Sequence, residues 1–347
     1  MCHCAADRTC RNWFISMLGW GNAVTILPEM LYQQFGDEEA LPRQYESMKL
    51  FVEAEIRKMG KKNLWIGPSL GDWLAMGKGI AWQAMHNNPV SNAFIVHDLK
   101  VISETAERLG KKADADRYRR QLEATTKAYI EKFVSKKGIV AKDYQSAYIM
   151  ALKFVLPEGE LRELVKKNFA ANIRKNGLQT GFFATEHLLP LLVEAGETEL
   201  AYDILLQEGC PGWMYQIKCG ATTTWERWDA LKPDGTVNEE KMAGSGDNMV
   251  SFNHYAFGSV GEFYYQYILG IKPQKPGFAE LHFEPYPDRR LGGVSGSYLS
   301  RAGKIESSWK YEEDGCHISL NTPVKSEVVL PDGKKETVEA GTYQWLC

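Results

Sequence analysis

The stretch Gly270-Ile-Lys-Pro-Gln-Lys-Pro-Gly277 separates two parts of the chain that differ in their hydrophobic pattern. Before it, apolar residues recur with the period of amphipathic helices; after it, they alternate with polar residues as in half-buried strands. Proline and glycine are the residues that most often interrupt regular structure. We therefore predict a mainly α-helical chain in which a Pro/Gly linker leads into a small all-β domain.

The helical pattern extends from about residue 25 to 270. Leu41–Met59 is an example, and its pattern ends at Gly60. Its apolar stripe comprises Tyr45, Met48, Leu50, Phe51 and Ala54. Similar segments are Ser91–Leu109, Ala113–Val134, Ser146–Val155, Glu158–Ile173, Thr185–Ala195, Glu197–Gln207 and Phe257–Leu269. Consecutive paired helices without intervening strands indicate an α-toroid or a solenoid.

Beyond the linker the chain reads as short strands joined by turns. The predicted strands are Ala279–Glu284, Gly292–Leu299, Lys304–Tyr311, His317–Leu320, Glu327–Leu330 and Glu336–Ala340. Glu313-Asp-Gly315 and Pro331-Asp-Gly333 supply turn residues between them. A helical toroid followed by a β-sandwich occurs in both hydrolases and lyases that process glycans, so the architecture alone does not choose between these chemistries.

Composition excludes several classes of partner. The 347 residues are 44% apolar and carry a formal net charge of −3, which leaves no basic face for nucleic acid. No apolar run approaches the roughly 18 to 20 residues that a membrane helix needs. The seven cysteines form no disulfide framework, and the cluster of Cys2, Cys4 and Cys10 lacks the paired spacing of a metal site. We predict no metal, no cofactor, no nucleic-acid partner and no membrane contact.

Two segments carry the residues of a sugar site: Gly220-Ala-Thr-Thr-Thr-Trp-Glu-Arg-Trp-Asp229 and Ser251-Phe-Asn-His-Tyr-Ala-Phe-Gly258. The first places the carboxylate of Glu226 next to the indole of Trp225, and the second supplies the imidazole of His254. A pyranose offers C–H faces for stacking and hydroxyls for hydrogen bonding, so aromatic rings mixed with acids and amides suit it. Glu226 is then a candidate base towards water.

Each of these residues has a structural alternative. Glu226 is otherwise a helix-start carboxylate or a partner for Arg227, and His254 either orients a sugar hydroxyl or pairs with Glu226. Asp72, in Gly67-Pro-Ser-Leu-Gly-Asp-Trp73, is either displayed at the rim of the toroid or the N-cap of the following helix. The sequence leaves these alternatives open.

The segment Leu18-Gly-Trp-Gly-Asn-Ala23 repeats the arrangement of Asp72 and Trp73, with Trp20 as the indole and the amide of Asn22 where an acid would stand. Trp213 is either another wall of the site or part of the core.

Together these motifs resemble the C-terminal half of the catalytic region of α-L-rhamnosidases of glycoside hydrolase family 78. The resemblance rests on the two segments above and on Gly270-Ile-Lys-Pro with Pro276-Gly-Phe278, and it covers nearly the whole chain after about residue 18. It extends back through Thr180-Gly-Phe182, Asp143-Tyr-Gln-Ser-Ala-Tyr148, Gly71-Asp-Trp73 and Gly19-Trp-Gly-Asn-Ala23. It implies an incomplete (α/α)₆ barrel over residues 19–272 and a C-terminal β-sandwich over residues 273–347, after an atypical N-terminus at residues 1–18.

The resemblance also implies a reaction and its residues. The reaction is inverting hydrolysis of terminal α-L-rhamnosides, in which two carboxyl groups about 6.5 to 9.5 Å apart act as acid and base. Glu226 matches the family's general base, and the partner is a rhamnose-containing oligosaccharide or glycoside. The positions that match residues lining or supporting the rhamnose pocket are His254, Trp73, Asp72, Trp20 and Trp225.

Two departures from the family pattern affect the expected activity. The family's general acid is the Glu of an Asp-x-x-x-x-Glu-Arg-Leu-Gly-Trp type motif, which this chain starts too late to contain. Asn22 stands where the family usually has Asp, so we expect one carboxylate of the pocket to be replaced by an amide. Since general acid help is worth about 10² to 10⁴-fold, we expect an α-L-rhamnosidase fragment that is weak or inactive.

Two other functions fit the same architecture. A polysaccharide lyase would use His254 and Tyr255 to abstract and donate protons, but lyases usually need Arg or Lys to neutralise a uronate, and here Arg227 is the exception among acids and aromatics. A non-catalytic glycan-binding protein would use the tryptophan walls alone. The compartment and the oligomeric state are left open by the sequence.

Overall fold

The computed structural model describes residues 18–79, 82, 85–239 and 250–347. These residues form two compact units: the first comprises the chain up to Ile26 with Gln44–Ser259, and the second comprises Leu27–Arg43 with Val260–Cys347. The predictions for Cys2, Cys4 and Cys10 and for the atypical N-terminus lie outside the described residues, Leu18 excepted.

Eight of the described helices occur where the apolar periodicity predicts them, with ends that differ by a few residues, whereas Ala23–Phe35 and Trp213–Lys218 match none of the predicted segments. In chain order the helices are α1 (Ala23–Phe35), α2 (Ala40–Met59), α3 (Asn88–Arg108), α4 (Lys112–Phe133), α5 (Gln145–Met150), α6 (Glu160–Asn176), α7 (Phe182–Glu194), α8 (Thr198–Leu206), α9 (Trp213–Lys218) and α10 (Val260–Phe263). Helices α5 and α10 continue as single π-helical turns, Ala151–Val155 and Tyr264–Ile268. Short connections join α3 to α4 and α7 to α8, which is the arrangement of helical hairpins.

A core between α2, α3 and α4 holds part of the first unit together. The buried stripe of α2 runs through Tyr45, Met48, Val52 and Met59, at the three- and four-residue spacing of one helix face. It packs against apolar residues of α3 and α4, among them Ile95, Leu99, Ile102, Ala115 and Tyr118. Glu55, which continues the same spacing, is 1% exposed. A carboxyl group therefore occupies a core position of this helix.

The predicted stripe of α2 was wrong at one residue. Leu50 is 52% exposed, whereas Val52, which the sequence analysis left out, is completely buried. Leu50 does not share the 3.6-residue phase of Tyr45 and Met48, so it points away from the core.

The second unit contains two four-stranded sheets. Their strands are β1 (Ile271–Pro273), β2 (Leu281–Phe283), β3 (Gly293–Ser300), β4 (Gly303–Glu312), β5 (Gly315–Thr322), β6 (Ser326–Val329), β7 (Lys335–Val338) and β8 (Gly341–Leu346). The strand orders are β1-β2-β6-β7 and β3-β4-β5-β8. All pairs are antiparallel except β2 with β6, which is parallel.

The alternation of β4 shows how this unit forms its core. Ile305, Ser307 and Trp309 are buried while the residues between them face outward. Two of the buried side chains bond the backbone after α10: Trp309 Nε1 donates to Ile268 O at 2.7 Å, and Ser307 Oγ donates to Leu269 O at 2.7 Å. These bonds satisfy carbonyls at the end of the π-helical turn.

The stretch Ile271–Gly277, predicted to be a linker, is instead built into the second unit. Ile271–Pro273 pairs with Leu281–Phe283, and Pro276–Phe278 forms a 3₁₀ turn. Gly270 has φ of +74°, and a Cβ there would lie 2.4 Å from Pro285 N, so the sharp entry into β1 requires glycine. The prolines mark the end of a short edge strand and a turn rather than a free connection.

None of the helices in the described ranges combines the length and the apolar character that crossing a bilayer requires.

Candidate functional site

The two predicted sugar-site segments lie side by side. Glu226 N donates to Ser251 O at 2.8 Å, and His254 N donates to Thr224 O at 2.8 Å. Thr224 Oγ1 donates in turn to His254 O at 2.6 Å. These bonds join residues that are 25 to 30 positions apart. We call this pair of hydrogen-bonded segments, residues 220–229 and 251–258, the clip. It brings the predicted carboxylate and imidazole onto adjacent segments of backbone.

Glu226 is held in the clip by its side chain as well as by its backbone. Its side-chain Oε2 accepts a hydrogen bond from Ser251 N at 2.9 Å, and the residue is only 8% exposed. A hydrogen bond from a main-chain N–H fixes the direction of a carboxylate without neutralising it. The geometry suits a carboxylate that must meet a ligand in one orientation.

The two tryptophans beside Glu226 are buried behind it. Trp225 is 2% exposed and packs edge-to-face against Phe252, with ring centroids 5.4 Å apart. Trp228 stacks on Phe257 at 3.8 Å, and its Nε1 donates to Thr180 O at 2.9 Å. Both indoles therefore support the clip by packing, and neither offers a free face to a sugar.

Arg227 pairs with Asp229, whereas one alternative from the sequence was that it pairs with Glu226. Its Nε lies 2.7 Å from Asp229 Oδ1 and its NH2 group 3.2 Å from Asp229 Oδ2. The guanidinium side chain is 11% exposed. This two-point pairing neutralises the cation next to Glu226.

His254 is fixed in orientation by a ring stack and a backbone bond. The centroid of its ring lies 4.7 Å from that of Phe182 and 4.9 Å from that of Tyr255. The planes of the His254 and Tyr255 rings are 17° from parallel. Ala256 N donates to His254 Nδ1 at 3.3 Å. Because Nδ1 accepts this bond, the geometry assigns the ring proton to Nε2. Nε2–H is then a donor for a ligand oxygen.

Asp72 is completely buried and caps a helix that is distant in sequence. Its Oδ1 accepts from Phe183 N at 2.8 Å and from Ala184 N at 3.1 Å, and its Oδ2 accepts from Gly181 N at 2.8 Å and from Ser146 Oγ at 2.5 Å. Burial raises the pKa of Asp72, although these four hydrogen bonds oppose the shift. The N-cap alternative thus has the right role but the wrong helix, since Asp72 caps α7 and not the segment after Trp73.

Trp73 contributes to the same junction through its backbone. Its carbonyl accepts from Phe182 N at 3.0 Å. A Cβ at Gly181 would lie 2.1 Å from that oxygen, so the close approach of the two chains requires glycine. The indole of Trp73 is half-buried. Asp72 and Trp73 together position the backbone around Phe182, whose ring packs at a tilt against that of His254.

Trp20 packs against Phe182 and Phe183, whereas Asn22 is held by hydrogen bonds within the protein. The Trp20 ring lies 5.9 Å from Phe182 and 5.2 Å from Phe183. Asn22 is completely buried, and its Oδ1 accepts from Gly19 N at 2.6 Å. Both side-chain polar atoms of Asn22 bond to protein, so the residue acts on the site only through its neighbours.

The amide of Asn22 bridges two buried carboxyl groups that the sequence analysis missed. Asn22 Nδ2 donates to Asp98 Oδ2 at 2.5 Å and to Glu55 Oε1 at 3.2 Å. Thr25 Oγ1 donates to Asp98 Oδ1 at 2.5 Å. Burial, with the charge of Asp98, raises the pKa of Glu55 well above its usual range, which favours a protonated Glu55 that can donate to Asp98. The feature of the sequence that could have revealed them is Glu55, an acid at an otherwise apolar position of the α2 stripe.

One exposed group within the described ranges has the spacing of metal ligands. It consists of Glu312, Asp314 and His317 in the β4–β5 hairpin. His317 Nε2 lies 2.8 Å from Asp314 Oδ1, and this hydrogen bond raises the pKa of His317. Lys310 pairs with Glu312 at 2.9 Å. These side chains already neutralise one another on the surface, as solvated ion pairs do.

Comparison with known families covers both units. Residues 6–268 match the family described as bacterial alpha-L-rhamnosidase 6 hairpin glycosidase domain, and residues 270–344 match the bacterial alpha-L-rhamnosidase C-terminal domain. The helical hairpins and the two-sheet domain of the fold are thus those of one family.

Individual relatives agree with this match. An alpha-L-rhamnosidase of Alteromonas sp. (strain LOR) is 36% identical over 331 residues, which cover 92% of this chain and 35% of that protein. One from Streptomyces avermitilis is 32% identical over 328 residues, covering 92% of this chain and 30% of that protein. The chain therefore spans about a third of the length of these curated relatives.

Solved structures give the same result. The crystal structure of Streptomyces avermitilis alpha-L-rhamnosidase complexed with L-rhamnose has a TM-score of 0.86 and 30% identity, and the match covers 95% of this chain and 33% of that one. The Aspergillus terreus enzyme has a TM-score of 0.86 and 29% identity, with 94% and 38% covered.

Proposed function

The chain belongs to the bacterial α-L-rhamnosidase family, and we propose that it contributes the general base and part of the sugar pocket for inverting hydrolysis of terminal α-L-rhamnosides. The observation that carries this proposal is the clip, in which Glu226 is bonded to Ser251 through both its backbone and its carboxylate while His254 lies on the adjoining segment. The substrate is a rhamnose-containing oligosaccharide or glycoside.

In the proposed reaction Glu226 acts as base towards water. The carboxylate takes a proton from a water molecule as the water oxygen bonds to the anomeric carbon from the face opposite the leaving group. The glycosidic C–O bond breaks, and the leaving oxygen is protonated by a general acid. The fixed carboxylate direction favours this role, since a base must lie within hydrogen-bond reach of the proton that it removes.

His254 is proposed to bind a rhamnose hydroxyl. Its Nε2–H has no hydrogen-bond partner among the described residues once Nδ1 has accepted the bond from Ala256 N. Phe182 packs against the ring, with centroids 4.7 Å apart. We propose an indirect role for Asp72, Trp73 and Trp20. They position Phe182, which in turn supports His254.

We propose only weak hydrolysis by the chain as it stands. The Asp-x-x-x-x-Glu-Arg-Leu-Gly-Trp type motif of the family's general acid does not occur in the 347 residues. An aryl rhamnoside needs less protonation of its leaving oxygen than an alkyl rhamnoside does. The difference in rate between the two substrates then measures how much acid help is present.

The pairing of Arg227 with Asp229 disfavours the lyase alternative. A lyase needs a free cation to neutralise the uronate of its substrate, and this guanidinium is already matched by a carboxylate. Release of an unsaturated product that absorbs in the near ultraviolet would favour the lyase instead.

The test is hydrolysis of 4-nitrophenyl α-L-rhamnoside by the chain and by Glu226→Gln, together with calorimetric binding of methyl α-L-rhamnoside. We expect Glu226→Gln to keep binding, because glutamine Oε1 can accept the Ser251 bond, and to lower the rate by about 10² to 10⁴-fold. Proton NMR of the first product should show the inverted, β anomer. Full activity in Glu226→Gln contradicts the base assignment, and binding without any hydrolysis favours a purely glycan-binding role.

A further inference from the structure

Tyr255 combines high exposure with a fixed ring. The residue is 79% exposed, the largest value among the exposed large apolar and aromatic side chains of the described residues, a value it shares with Leu299. Its ring nevertheless stacks on His254, with centroids 4.9 Å apart and planes 17° from parallel. One face of the phenol is therefore covered by the imidazole, while most of the ring surface meets solvent.

The backbone around Tyr255 is held on both sides. His254 N donates to Thr224 O at 2.8 Å, Ala256 N donates to His254 Nδ1 at 3.3 Å, and Gly258 N donates to Tyr255 O at 2.9 Å. The imidazole under the ring is itself supported by Phe182 at 4.7 Å. The phenol thus stacks on an imidazole that packs at a tilt of 32° against Phe182, the first residue of α7.

A fixed aromatic ring with a free face is suited to stacking. A rigid tyrosine loses little conformational entropy when it meets a flat ligand, and ring pairs contribute about 0.5 to 1.5 kcal/mol beyond area burial. The phenol hydroxyl makes no hydrogen bond with any described residue. It can therefore bond the edge of the ligand that stacks on the ring.

We propose that Tyr255 is the platform for the leaving group, the residue to which rhamnose is attached. This rests on the proposed function, which places rhamnose against the Nε2–H edge of His254. A neighbouring ring that stacks on the outer face of Tyr255 would lie one layer away from the imidazole. The ligand chemistry is a flat ring linked to the anomeric oxygen of rhamnose, either an aryl group or the C–H face of a second pyranose.

The experiment measures binding by calorimetry with ligands that share the rhamnose and differ in the attached group. The ligands are methyl α-L-rhamnoside, the non-hydrolysable 4-nitrophenyl 1-thio-α-L-rhamnoside, and an α-L-rhamnosyl-glucose disaccharide. The proteins are the unmodified chain, Tyr255→Ala and, as the matched control that keeps the ring, Tyr255→Phe. Because the side chain is 79% exposed, we expect all three to unfold at the same temperature.

We expect the thioaryl or the disaccharide ligand to bind the unmodified chain about 3- to 10-fold more tightly than the methyl glycoside, the range that ring stacking contributes. Tyr255→Ala should lose this gain, Tyr255→Phe should keep the part that comes from stacking and lose only what the hydroxyl adds, and the methyl glycoside should bind all three alike. A gain for the thioaryl ligand alone assigns the platform to aryl groups, and a gain for the disaccharide alone assigns it to sugars.

Two results overturn the platform while leaving the proposed function intact. One is binding of the methyl glycoside with no gain for either larger ligand. The other is an equal loss of all three ligands in Tyr255→Ala, which would make Tyr255 a support for His254 alone. If no rhamnoside binds the unmodified chain, the proposed function fails and the platform fails with it.

Discussion

Glu226 and Ser251 exchange two hydrogen bonds: Glu226 N donates to Ser251 O at 2.8 Å, and Ser251 N donates to Glu226 Oε2 at 2.9 Å. Both bonds use the main chain of Ser251, so the direction of the carboxylate does not depend on the serine side chain. The hydroxyl bonds within its own segment instead, accepting from Asn253 N at 3.2 Å.

This reciprocal pair predicts different effects for two substitutions at one position. Ser251→Pro removes the N–H that orients Glu226, whereas Ser251→Ala keeps it. We expect Ser251→Pro to lower the rate of 4-nitrophenyl α-L-rhamnoside hydrolysis by about 10- to 100-fold, since small misplacements of catalytic groups have effects of this size. Ser251→Ala should stay within a few-fold of the parent. Equal rates in the two variants, with circular dichroism showing both folded, contradict the proposed role of the bond.

Asp72 should stabilise the fold more strongly than a surface helix cap does. Asp72→Ala leaves three main-chain N–H groups and the Ser146 hydroxyl without their acceptor in a completely buried position. We expect the free energy of unfolding to fall by about 3 kcal/mol or more, because each buried donor left unsatisfied costs about 1 to 3 kcal/mol. Denaturation in urea measures this loss.

A matched control is Asp37→Ala, which removes a carboxylate whose contacts are exposed. It should change the free energy of unfolding by less than about 1 kcal/mol. If Asp72→Ala is as mild as this control, the cap does not stabilise α7.

How far the sequence predicted the fold depends on the range of the interaction. Helix and strand positions follow local periodicity, so α2 was predicted to begin within a residue of its actual start at Ala40. The pairing of Ile271–Pro273 with Leu281–Phe283 was missed because a three-residue edge strand carries too few alternations to be recognised.

The site divides in the same way. Glu226 and His254 stood out because each lies in a distinctive local segment. The bond from Gly181 N to Asp72 joins residues 109 positions apart, and the one from Asn22 to Asp98 joins residues 76 apart. Local pattern predicts no such partner. Trp225 was expected to present a face to a sugar, but Trp225 and Trp228 are both buried, in part by Phe252 and Phe257, which lie 27 and 29 positions further along the chain.

Glu55 predicts a specific dependence of stability on pH. Burial, with the charge of Asp98, raises the pKa of Glu55 in the folded chain well above its ordinary value of 4.5. A carboxyl group whose pKa is raised by folding favours the folded state fully below the unfolded pKa, and that contribution is lost as the pH rises towards the folded pKa. The free energy of unfolding should therefore fall as the pH rises above about 4.5.

Glu55→Gln should flatten this pH dependence, because the neutral amide can accept from Asn22 and donate to Asp98 as a protonated acid does. The control Glu46→Gln lies on the exposed face of the same helix and should leave the slope unchanged. Urea denaturation between pH 4.5 and 8 measures both. A slope that persists in Glu55→Gln assigns the effect to other groups, with Asp72, whose pKa is also raised by burial, the first to be tested.

Asn22 stands where the sequence resemblance leads us to expect an aspartate, and its surroundings predict what that aspartate would do here. Asn22 Nδ2 donates to Asp98 Oδ2 at 2.5 Å and to Glu55 Oε1 at 3.2 Å, and Asn22→Asp replaces this donor with an oxygen of a third carboxyl group. We expect it to lower the free energy of unfolding at pH 7 by about 3 to 5 kcal/mol, the usual cost of an uncompensated buried charge.

The comparison with Asn22→Ala separates repulsion from lost hydrogen bonds. Both variants lose the bonds to Asp98 and Glu55, but only Asn22→Asp adds a charge, so it should be the less stable of the two at pH 7. Near pH 4.5 the added carboxyl group can take up a proton and donate it to Asp98, and the difference should shrink or reverse. If Asn22→Asp matches the parent at pH 7 in urea denaturation, the amide is not what balances Glu55 and Asp98.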